Sequence, residues 1–119
     1  MAPRNNQITI TSGQTKVLRA TVYDSQGYTV NLNGADVVFS IAKKRGDAPV
    51  FSKDTSNGVT IEDAAEGVVK VKMETDDTKL LSRGEYVYDL WVVFGSGQAV
   101  ERYPVASGTV KVESPVTVF

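Results

Sequence analysis

The sequence predicts an all-β chain, an antiparallel β-sandwich with Greek-key connections and about seven to nine short strands. Three observations carry that expectation. Apolar, β-branched and aromatic residues alternate with polar ones in short runs. Gly, Asn, Asp and Pro punctuate those runs about every ten residues. No segment sustains a helical period. The 119 residues suffice for one domain, and with 41% hydrophobic and 23% charged residues the composition is that of an ordinary globular core and surface. A small barrel is the alternative that the same pattern allows.

The elements follow in order. Residues 1–6 read as a polar N-terminal arm, and Ile8-Thr9-Ile10 as a short first strand. Lys16 to Tyr23 is a strand that turns Leu18, Ala20 and Val22 inward. Asp24-Ser25-Gln26-Gly27 is a tight turn, and Tyr28 to Leu32 is short and extended. After the turn at Asn33-Gly34, Val37 to Lys43 places Val37, Phe39 and Ile41 on one face. Val50 to Lys53 is an edge candidate, because Pro49 lacks a ladder donor. Val59-Thr60-Ile61 follows Asn57-Gly58. Val69, Val71 and Met73 then alternate with Lys70 and Lys72, the pattern of a half-buried strand. One helical turn is expected near Thr78 to Leu81, capped by Asp76 or Asp77.

Leu81 to Phe94 is the most informative stretch. Tyr86, Tyr88, Leu90, Val92 and Phe94 share one face, while Val87, Trp91 and Val93 fall on the other. Apolar residues on both faces predict a central strand. Leu81, Gly84 and Tyr86 have the spacing of a tyrosine corner, in which a phenol hydroxyl returns to backbone a few residues upstream. That spacing makes the predicted sandwich immunoglobulin-like. Antibody-type domains carry a Cys two residues after the corner Tyr. Here that position is Tyr88, the chain has no Cys, and no disulfide can form. Gly95-Ser96-Gly97 reads as a hairpin tip, and Ala99 to Tyr103 pairs back. Pro104 to Gly108 interrupts that strand as a bulge or kink before Thr109 to Glu113 resumes it. Residues 7–113 form the predicted domain, and residues 114–119 a C-terminal arm.

The chemistry available is narrow. No His and no Cys leaves no triad, no thiolate nucleophile and no ordinary zinc set. The adjacent pairs Glu62-Asp63 and Asp76-Asp77 lie at turns, where Asp shapes backbone more often than it catalyses. Loop carboxylates such as Asp24, Asp36 and Glu66 could pool oxygen ligands for Ca²⁺, but exposed carboxylates are also the usual dressing of a surface. Arg45-Gly46-Asp47 spells an adhesion tripeptide within a turn-rich loop. Trp91, the only Trp, reads as core or as an interface anchor. A net charge of −1 without a basic block argues against nucleic-acid binding. No run is long enough to span a membrane, and the first residues have no signal-peptide core, so a protein made in a cytoplasm is expected. No catalytic residue, cofactor or metal site is expected. Ile8, Ile10, Val116, Val118 and Phe119 are β-prone pieces near the two ends, and they are the candidate assembly contacts.

The chain as a whole resembles small immunoglobulin-like proteins and modules of tailed bacteriophages, including the N-terminal module of baseplate upper proteins. Ile8-Thr9-Ile10 with Gly13-Gln14-Thr15 begins the match, and Leu18 to Asp24 with Gly27 continues it. Leu32, Gly34-Ala35, Val37, Phe39 and Ile41 follow, then Gly58-Val59-Thr60-Ile61 and Gly67-Val68-Val69 with Val71. Leu81, Gly84, Tyr86, Tyr88-Asp89-Leu90 and Gly108-Thr109-Val110 with Val112 complete it. These are strand and turn residues, and they name no site. The long C-terminal region of the baseplate proteins has no counterpart here. The resemblance therefore implies a stand-alone accessory protein of the virion, made in the host cytoplasm. It would decorate or cement a capsid, or join tail or baseplate parts, as a homo-oligomer in contact with other virion proteins. The alternative is a module that binds carbohydrate or protein on a host surface.

Overall fold

In the computed structural model, residues 4–95 and 99–118 are described. The strands are β1 (Arg4–Thr11), β2 (Lys16–Thr21), β3 (Asp36–Ala42), β4 (Pro49–Asp54), β5 (Val59–Asp63), β6 (Val68–Met73), β7 (Gly84–Phe94) and β8 (Glu101–Glu113). A single helical turn, α1 (Thr75–Thr78), precedes β7. The strands form two sheets, one of five strands in the order β1-β8-β7-β3-β4 and one of three in the order β2-β6-β5. The chain changes sheet four times, after β1, β2, β4 and β6. The result is the immunoglobulin-like sandwich that the strand pattern predicts.

β7 lies inside the five-stranded sheet, between β8 and β3. Its Tyr86, Tyr88, Leu90 and Val92 are buried, while Val87, Trp91 and Val93 on the outer face are half-buried. Across the core, β6 presents Val69, Val71 and Met73, all buried as their alternation with lysines predicts. Phe39 and Tyr88 meet at the centre with ring centroids 5.7 Å apart. Val22, Leu32, Val110 and Val112 complete a core closed without any covalent bridge.

Three details depart from the sequence reading. β1 begins at Arg4, so residues 4–6 are strand rather than polar arm, paired through Arg4↔Ala106 to Asn6↔Gly108. That pairing is parallel, in an otherwise antiparallel pair of sheets. Tyr28 to Leu32 is short and extended as read, tied back by the isolated bridge between Tyr23 and Thr29 and by the Val30 N–H on the Val22 carbonyl at 3.0 Å. The helical turn starts three residues earlier than expected. Glu74 is its N-cap, and Asp77 caps by reaching back, its Oδ2 accepting the Glu74 N–H at 2.7 Å. The interruption at Pro104–Gly108 shrinks to a single-residue bulge. Leu90 pairs with Ala106 and Trp91 with Pro104, so Val105 is the extra residue and β8 runs on through it. The residues Ser96 and Gly97 of the hairpin tip, and Phe119, lie outside the described residues.

Candidate interaction surfaces

Several carboxylates are engaged in turns and ion pairs. The Asp24 carboxylate accepts the N–H groups of Gln26 and Tyr28 at 2.9 and 3.0 Å. Asp36 binds the Thr55 hydroxyl and amide. Asp63 accepts the Glu66 N–H, and Glu62 pairs with Arg19 at 2.9 Å. The Ser56 hydroxyl and amide hold the Asp54 carboxyl below its ordinary range. Among the described residues, no group of three or more acidic residues converges to hold a metal ion. Phenols shift for equally local reasons. Burial pushes Tyr88 up, and the hydrogen bond to Glu101 does the same for Tyr103.

Two features organise the end of the sandwich where the chain enters β7. The Ser82 N–H donates to the Tyr86 hydroxyl oxygen at 2.9 Å, four residues upstream of the ring. Leu81 is buried beneath this contact, and Gly84 takes φ +143°, a conformation that side chains disfavour. The Lys43 ammonium lies 4.6 Å from the Tyr86 ring centroid. The second feature is not signalled by the sequence. Lys53 faces inward from the edge strand β4 and pairs with Asp77 of α1 at 2.7 Å, with its side chain only 8% exposed. Its stem lies against Gly58, where an added Cβ would meet Lys53 Cδ at 2.7 Å. An inward charge on an edge strand discourages further strand addition there.

The opposite side of the sandwich has no such protection. β1 is the free edge of the large sheet and β2 the free edge of the small one. Between them opens a slot of about 340 Å³, lined by Ile8 of β1, Leu18 and Ala20 of β2, and by Phe39, Leu90 and Val105 deeper in. Ile8, Leu18 and Ala20 face the core yet are only partly buried. Central strands seal their inward residues, and these edge strands do not. Ile10, by contrast, is wholly buried and offers no surface to another chain. Beyond β8, Val116 and Val118 are 99% and 93% exposed.

Other sequence candidates lie apart from the slot. Trp91 sits on the outer face of the large sheet, paired between Val38 and Pro104 rather than in the core. Arg45-Gly46-Asp47 forms an exposed turn closed by the Asp47 N–H on the Lys44 carbonyl at 3.2 Å, with Gly46 at φ +90°. It borders a shallow hollow with Pro49 and Asp89.

The fold and these surfaces define an immunoglobulin-like sandwich with an open side between β1 and β2. The chain is similar in fold to the N-terminal domain of ORF48 of phage TP901-1, with a TM-score of 0.65 and 16% identity over 94% of this chain and 90% of that one. It also aligns with AggA, the major subunit of aggregative adherence fimbriae type I of Escherichia coli, at 14% identity over 96% and 91%. The TM-score there is 0.34, too low to carry an argument. No protein-family model and no curated protein matches the chain.

Proposed function

We propose that the protein is a non-enzymatic structural component of a phage particle, acting through protein–protein contacts. The observation that carries this reading is the near full-length fold match to a phage domain, which covers nine-tenths or more of both chains. The surface chemistry supports it. Several of its carboxylates are engaged in turns and ion pairs, and strand edges and apolar side chains are left open. Edges of this kind give affinity through main-chain hydrogen bonds, with alternate side chains supplying fit. Decoration or cementing of a capsid and joining of tail or baseplate parts are both within its reach.

Light scattering of the purified protein, followed by cosedimentation with phage tails and with empty phage capsids, tests the proposal. A defined complex with one of them is expected and identifies the location. A protein that sediments with neither overturns the assembly role and favours a module for a host-surface ligand.

A further inference from the structure

The slot between β1 and β2 has the features of an incomplete strand site. Five strands face three, and the small sheet ends at β2 on that side. β2 spends one row of its backbone groups on β6, through Lys16↔Met73 to Thr21↔Val68. Its other row meets no strand among the described residues. Below that row, Leu18 and Ala20 stand half-open over the core. A strand laid beside β2 would satisfy the backbone row, and its side chains of one parity would enter the slot.

We infer that the slot receives residues 116–118 of a second copy of this chain as an added strand on β2, with Val116 and Val118 pointing inward. Those two valines share one face by period two, and Thr117 takes the other. Both are β-branched, uncharged and almost fully exposed, so the isolated domain leaves them without a partner surface. Pro115 has no N–H to extend the ladder of β8, which separates this segment from its own sheet. The segment leaves its own domain with both valines outside the slot. Glu113 is held at the β1–β2 turn by the Ser12 N–H, whereas Val105 and Val22 line the slot toward the far end. The inference deepens the assembly reading and rests on it.

The test uses the full chain, a chain ending at Pro115, and a synthetic peptide with the sequence of residues 114–119. The full chain should associate with rising concentration in light scattering, and the shortened chain should stay monomeric. The peptide should bind the shortened chain and slow, at least tenfold, the exchange of those β2 amides that are not directed at β6. Ala20→Leu, at a position that lines the slot and pairs with Val69 of β6, should weaken peptide binding at least tenfold while the variant keeps its cooperative thermal unfolding. A full chain that remains monomeric at millimolar concentration, with no protection of β2 by the peptide, overturns the inference. A monomeric full chain in which the β2 amides not directed at β6 are protected, and lose that protection in the shortened chain, also overturns it, because the occupant is then its own segment. If the shortened chain still cosediments with phage parts while the peptide fails to bind, the slot is wrong and the assembly role stands.

Discussion

Tyr86 and Lys53 illustrate how single residues hold the frame. The Tyr86 hydroxyl takes the Ser82 N–H, a donor at the turn into β7 that has no strand partner. Tyr86→Phe keeps the ring and removes the acceptor. It should lower stability by about 1–2 kcal/mol in denaturant unfolding. A neutral result would mean that water satisfies Ser82 equally well. Lys53 and Asp77 are a nearly dry ion pair, so removing either partner leaves a charge without its mate. Asp77→Ala should cost about 3 kcal/mol, because Lys53 would then be buried alone and the Glu74 N–H would lose its acceptor. Lys53→Met should cost clearly less, since Asp77 keeps that amide and some solvent. Equal losses in the two variants would contradict this ordering.

At the scale of elements, alternation made the strands legible and pairing partners did not. Val69, Val71 and Met73 announce β6 because they share one face with Lys70 and Lys72 between them, and the same period of two along Tyr86 to Val92 announces β7. The first residues of β1 escaped because Arg4, Asn5 and Asn6 are polar and leave no hydrophobic signature in the sequence. The bulge at Val105 was overestimated because Pro104 suggests a break. Its missing donor is tolerated where the register shifts. The slot was illegible for a different reason. Leu18 and Ala20 read as ordinary inward residues, and nothing in their spacing says that the sheet stops beside them. Gly67 tests how the elements are joined. It sits at φ +71°, and an added Cβ would come within 2.7 Å of the Val30 carbonyl oxygen and 2.9 Å of that of Val22. Gly67→Ala should therefore pry the β2–β3 connection from the β5–β6 turn, at a cost of at least about 2 kcal/mol. A melting temperature unchanged within a degree would contradict that closeness.

The whole molecule balances thirteen basic against fourteen acidic residues, and its ion pairs are scattered over separate surfaces. No field of one sign is available to drive assembly. Contacts made through strand edges and valines should therefore survive salt, and cosedimentation should persist at about 0.5 M NaCl, where surface charge attraction is largely screened. Loss of the complex at that concentration would point instead to charged loops as the contact.

The parallel seam between β1 and β8 also governs the order in which the molecule can be completed. Ile8 waits for Val110, so β1 stays without its seat until the much later β8 has been made. Until β8 appears, β7 exposes a long apolar border and β1 has nothing to dock on. Loop closure over that distance is slow compared with local pairing. Nascent chains therefore pass through a stage in which an unpaired edge of β7 is exposed, and premature contact between unfinished copies is the hazard that this topology builds in.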